Sequence, residues 1–191
     1  MFQAGLPVKY EPLNEIYADK YPNPTEPYIG QSKIEAIDKA MEDSILCKVL
    51  YYQLDQELLK QLRDNYQLIH LVRSPVQVYI SSKIAEHAKR WHSNTEIITI
   101  QKIALCTEDF KNFLTKYKYS RDLCAKYSFM EIHYTDIFNW DSFISRFQSY
   151  LGIVPIYIQP TIEKSTYNKR DVIVNYKEIM DTYVQFYSRL V

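Results

Sequence analysis

The sequence predicts an α/β fold, a three-layer parallel sheet flanked by helices, on three observations. Runs rich in Ile, Leu, Val and Tyr (SILCKVLYY, YQLIHLV, SFMEIHY) read as strands, amphipathic runs alternate with them, and no repeat or Gly/Ser-rich linker interrupts the alternation. Strands that alternate with helices pair in parallel through right-handed crossovers, which produces the layers. The 191 residues are expected to form a single domain, 1–191, large enough to bury a core.

Pro12, Pro22, Pro24 and Pro27 predict an extended, irregular stretch between Tyr10 and Gly30. Ser32 with Glu35 makes a capping box ahead of KIEAIDKAMED, a helix. The strand SILCKVLYY follows, then the short amphipathic helix DQELLKQLRD. YQLIHLV is a near-continuous apolar run that suits a strand covered on both faces. Ser74 and Pro75 open a helix expected to reach about Trp91, with serine as cap and proline at the first helical position. A long helical pattern runs from about Glu96 to Tyr117, SFMEIHY is a strand, and DSFISRFQSYLG is a helix with Asp141 near its start and Gly152 past its end. A final helix spans Asp171 to about Leu190.

Lys+Arg and Asp+Glu both number 23, so no global charge steers the chain to nucleic acid or to an anionic membrane, and neither is expected as a partner. Any anion site must be local. Cys47, Cys106 and Cys124 have no metal-ligand spacing and an odd count, which reads as thiols in a reducing compartment. The N-terminus lacks the pattern of a secretory signal and no apolar run approaches the length of a membrane span, so a soluble, cytoplasmic protein is expected. Gly5, Gly30 and Gly152 are the only glycines, so a loop of several glycines that cradles phosphate is nowhere in the chain.

The segment LIHLVRSPVQVYISSKIAEHAKRWH is the most informative. Arg73 stands at the carboxyl end of a strand, where ligands sit in α/β sheets, and Ser81 lies eight residues on, two turns into the helix. A helix N-terminus offers open N–H groups and partial positive charge, arginine a planar fork of donors, and an inward hydroxyl one donor more; together they suit a phosphate. From spacing alone the plainer reading is favoured, a good helix cap with Arg73 as a surface ion-pair partner, because an arginine near a helix start is common.

This segment resembles the 3'-phosphate-binding motif of sulfotransferases, and its continuation into AKRWH is most similar to the bacterial branch that sulfates glycolipids such as trehalose. CKVLYYQL with Lys48, FMEIHYTDIFNWDSFISRFQSYLGI and TIEKSTYNKRDVIVNYKEI resemble further family segments in the family's order, from about Lys48 to Met180. The resemblance implies a P-loop-like fold and the sulfuryl donor 3'-phosphoadenosine 5'-phosphosulfate as co-substrate. Arg73 and Ser81 would bind its 3'-phosphate, and Lys164, Lys169 and Arg170 would supply the basic segment that closes over the nucleotide, Lys164 foremost. No metal is implied. The acceptor would be a small molecule or glycan with a hydroxyl or amine.

Beside the family, the chain is expected to begin just after the first strand and its 5'-phosphosulfate loop, as a truncated or differently started sulfotransferase. The sheet edge so exposed would suit pairing with another chain, hence a homo-oligomer. The branch places a glutamate before the tyrosine of GLPVKYE where Lys9 stands here, which leaves Glu11 as the candidate base and Glu15 as the fallback. Asp136 and Asp141 are expected to cap a helix rather than hold a metal, and His70, His87, His92 and His133 receive no catalytic role. Three functions stay open: a sulfotransferase, a non-catalytic nucleotide-binding or assembly relic of the fold, and a relative of nucleotide kinases.

Overall fold

A computed structural model of the chain describes residues 8–10, 32–42, 46–88, 102–128, 130–152, 154 and 169–189. Glu11, Glu15, Lys164 and the proline-rich stretch lie outside the described residues. The chain divides into two compact units, Met1–Leu71 with Ser120–Thr161 and Val72–Tyr119 with Ile162–Val191.

The first unit carries β1 (Val8–Tyr10), α1 (Lys33–Glu42), β2 (Leu46–Lys48), a short 3-10 turn (Tyr51–Gln53), α2 (Gln56–Asn65) and β3 (Ile69–Val72), whose last residue crosses into the second unit. Later it holds β4 (Met130–His133), a second 3-10 turn (Tyr134–Phe138) and α5 (Trp140–Leu151). The architecture is helix-rich α/β. β1 and β2 pair in parallel with Val8 opposite Leu46 and Tyr10 opposite Lys48, while β3 pairs with β4. Among the described residues the strands thus make two two-stranded sheets, where the sequence predicts one layered sheet.

Local chemistry explains the helix boundaries. Ser32 and Glu35 form the reciprocal box the sequence promises: Ser32 N–H donates to Glu35 Oε2 at 2.8 Å and Glu35 N–H to Ser32 Oγ at 3.3 Å. Asp55 caps α2 by accepting from Leu58 N–H at 2.9 Å, and this bond holds its carboxyl below the usual range. Leu58, Leu59 and Leu62 then fall on the buried face, Leu58 and Leu62 against Ala36 and Ile37 of α1 and Leu59 against Cys124 and Tyr127. β2 is shorter than SILCKVLYY suggests, because the chain turns at Tyr51, where the Gln53 side chain accepts from Leu50 N–H at 2.8 Å. Gly152 ends α5 with φ 66°, a left-handed conformation that glycine adopts without penalty. Asp141 lies in the first turn of α5, but Asn139 is the cap residue, and Asp136 accepts from His133 N–H at 3.0 Å in the preceding turn.

The second unit is built on α3 (Pro75–Ala88), the first part of α4 (Thr107–Tyr127), α6 (Lys169–Val172) and α7 (Tyr176–Ser188). Val76, Tyr79, Ile80 and Ile84 of α3 meet Phe110 and Leu114 of α4 in one core with Val172, Ile173 and Ile179. Phe110, Leu114 and Ile179 are fully buried, and the Tyr79 and Phe110 rings lie 4.8 Å apart.

Two expected boundaries differ in this unit, for one reason. Helix α4 starts at Thr107, since Ile103 spends its backbone groups elsewhere: its N–H donates to Val172 O and its carbonyl accepts from Val174 N–H, each at 2.9 Å. That parallel bridge also divides the expected last helix into α6 and α7, because Val172 O and Val174 N–H, which a continuous helix would use, are taken by Ile103, while Ile173 N–H still closes the last turn of α6 on Lys169 O at 3.2 Å. Asn175 completes the tie. Its side chain accepts from Leu105 N–H and donates to Leu105 O, both at 2.9 Å, a two-point clamp across 70 residues.

Cys124 is buried, Cys47 half-buried and Cys106 exposed, all as free thiols; burial pushes Cys47 up to about 12 and Cys124 to about 11. No helix among the described residues is long and apolar enough to cross a membrane. Replacing Asn175 by alanine leaves both Leu105 backbone groups without their side-chain partner, so Asn175→Ala is expected to cost about 1 to 3 kcal/mol in denaturant unfolding.

Candidate functional site

The sequence points to the turn after β3, and three of its candidate residues meet there within the second unit. Pro75 has no N–H and the first intrahelical bond runs from Val78 N–H to Ser74 O at 3.0 Å, which leaves the N–H groups of Val76 and Gln77 without an intrahelical carbonyl. Ser81 lies one turn beyond Gln77 on the same face of α3. Its small side chain lets long cationic ones approach the helix.

Arg73 and Lys169 do so from different parts of the chain. Arg73 Nη2 lies 3.5 Å from Ser81 Oγ, and Lys169 Nζ donates to Ser81 Oγ at 2.5 Å and to Gln77 O at 3.2 Å. All three residues are half-buried. Lys169 reaches α3 because the residues after it are pinned: Val172 and Ile173 enter the core, the Ile103–Ile173 bridge fixes the backbone and Asn175 clamps Leu105. Arg73 is steadied through its backbone, whose carbonyl accepts from the Tyr117 hydroxyl at 2.5 Å.

A serine hydroxyl that accepts from an ammonium while a guanidinium stands beside it sits in a strongly positive field, next to the open end of a helix. The chemistry this favours is capture of an oxyanion with several acceptor oxygens, since guanidinium, ammonium and helix N–H groups all donate and none accepts. Arg170 does not join them: it is exposed and its guanidinium lies 5.6 Å from the centre of the Tyr176 ring, a cation–π contact. Lys164 and Glu11 lie outside the described residues. Tyr117 and Gln77 belong to the site although no local pattern marks them, because Tyr117 acts from α4, 44 residues from Arg73, and Gln77 through a backbone carbonyl. Among the described residues no group of three or more His, Cys, Asp and Glu could hold a metal ion.

No family model, curated protein or solved structure matches the chain.

Removing the Tyr117 hydroxyl without changing the ring takes away the bond to the Arg73 carbonyl. Tyr117→Phe is expected to lower unfolding free energy by about 1 kcal/mol with the fold intact, measured by denaturant titration.

Proposed function

We propose that the protein binds a nucleotide through its 3'-phosphate and acts as a sulfotransferase, moving a sulfuryl group from 3'-phosphoadenosine 5'-phosphosulfate to a hydroxyl or amine acceptor. The observation that carries this reading is the convergence of Arg73 and Lys169 on the Ser81 hydroxyl. A phosphate monoester supplies acceptor oxygens for both cations and for the hydroxyl, and its negative charge offsets the mutual repulsion of guanidinium and ammonium. The resemblance of the Arg73 segment to the sulfotransferase 3'-phosphate motif supports the same assignment from the sequence, as does the basic segment containing Lys169.

In the reaction the acceptor oxygen or nitrogen would attack sulfur, the bond from sulfur to the 5'-phosphate oxygen would break, and adenosine 3',5'-bisphosphate would leave. The acceptor's proton needs a base, for which Glu11 is the carboxylate the resemblance suggests. We propose likewise that β1–β2 and β3–β4 belong to the layered parallel sheet of the P-loop-like family. Such an arrangement would put Arg73 at the carboxyl end of a sheet strand, where α/β proteins take their ligands.

Calorimetric titration of the full chain with adenosine 3',5'-bisphosphate, and with ADP as a control lacking the 3'-phosphate, tests the reading. Selective binding of the bisphosphate is expected, with Arg73→Ala weakening it by about 2 to 4 kcal/mol and Lys169→Gln by about 1.5 to 3 kcal/mol, as expected for lost charge-assisted bonds. Equal affinity for ADP, or affinity unchanged in both variants, overturns it.

A further inference from the structure

A second polar cluster lies in the first unit and shares no side chain with the proposed anion site. His70 on β3 is buried at 3 % exposure, one of few polar side chains in the described interior. Its Nδ1 lies 3.1 Å from Glu131 Oε2 on the paired strand β4, and its Nε2 makes a short hydrogen bond with the hydroxyl of Tyr51. Glu131 and His133 share one face of β4 by the two-residue period of a strand, and Glu131 Oε1 lies 2.9 Å from His133 Nε2. Half-exposed His133 connects the chain of contacts to solvent.

The donor inventory fixes which atom carries each proton. A carboxylate only accepts, so His70 Nδ1 must carry the hydrogen that faces Glu131. In the neutral ring Nε2 is then an acceptor, and the Tyr51 O–H donates to it. The Tyr51 hydroxyl has a second acceptor within reach, the Leu71 carbonyl at 3.2 Å. Both protonation states of His70 can therefore be satisfied. If Nε2 gains a proton it donates to the Tyr51 oxygen, and the hydroxyl hydrogen turns to Leu71 O; one proton is taken up and each hydrogen bond finds a partner.

We propose that Tyr51, His70, Glu131 and Leu71 O form a two-state proton switch around the buried His70 ring, in which proton uptake by His70 reverses the Tyr51 bond and turns the hydroxyl to the strand carbonyl. The groups that face His70 act in opposite directions. Burial is the largest influence and lowers its pKa from 6.5; Glu131 raises it, while Arg121 on α4 and His133 on β4 lower it. Uptake therefore falls below the ordinary histidine value. Between the folded and unfolded values the unfolded chain binds a proton that the native state declines, so stability is full above pH 6.5 and declines as pH falls below it.

The test is the imidazole nitrogen NMR of His70 in the full chain, followed through an acid titration with folding monitored in the same samples. The expected result is the Nδ1–H tautomer at neutral pH, then protonation of Nε2 below pH 6.5 in a chain that stays folded. A hydrogen bond donated by an imidazolium is stronger than one accepted by the neutral ring, so Tyr51→Phe is expected to move the midpoint down by about half a pH unit or more, and Glu131→Gln to move it further. A merely structural contact would leave the midpoint where it is. The Nε2–H tautomer at neutral pH in the unmutated chain, unfolding before His70 titrates, or a midpoint that Tyr51→Phe leaves unchanged or raises would each overturn the proposal.

Discussion

The pairing of Ile103 with Ile173 is the constraint on which the second unit depends. Two backbone bonds and two buried isoleucines join segments far apart in the sequence, and Asn175 adds two more bonds at Leu105. Buried backbone groups must find partners, so once Ile103 takes Val172 and Val174, neither neighbouring segment can remain helical through that point. The break between α6 and α7 follows, and so does the place of Lys169 one short turn before the bridge. A continuous helix from Asp171 would leave Lys169 outside it, without this anchor. The cation at Ser81 is thus a product of a strand-like contact between two helical neighbourhoods.

That dependence explains what the sequence could disclose. Signals that act over three or four residues were legible: the Ser32–Glu35 box, proline at the start of α3 and Gly152 beyond α5 all sit where their chemistry requires. The spacing of Arg73 and Ser81 was legible too, because a strand end and the helix after it fix both residues locally. Long-range ties were not. Nothing near Ile103 marks it as a bridge residue, so the helical pattern upstream of Tyr117 predicts a start earlier than Thr107, and the clamp of Asn175 looks like any polar residue inside a helical run. Tyr117 and the partners of His70 were hidden for the same reason, since the contacts cross 44, 19 and 61 residues. Arg170 shows the converse: a cation adjacent to Lys169 in sequence points elsewhere, because neighbours on a helix are about 100° apart and Tyr176 offers its ring.

The two polar clusters differ in the kind of charge they hold. In the second unit a guanidinium and an ammonium surround a hydroxyl, and such groups are cationic at any pH near neutrality. Their attraction for an anion therefore varies with the ionisation of the anion itself, and a phosphate monoester takes its second charge near pH 6. In the first unit the cluster turns instead on the His70 imidazole, held between a carboxylate and a phenol that adapt to either state.

The division follows from burial. A permanent cation is costly to remove from water, so Arg73 and Lys169 are only half-buried, with their charged ends against the Ser81 face of α3. Histidine can enter the interior because it becomes neutral on the way in, and His70 does so almost completely. Its neutral ring then holds β3 to β4 through Glu131 and β3 to the turn at Tyr51, which a charged lysine or arginine in the same place could do only at a far larger desolvation cost. A side chain that can be buried without charge and still regain it is the one choice that makes the same contact both a structural tie and a titrating one.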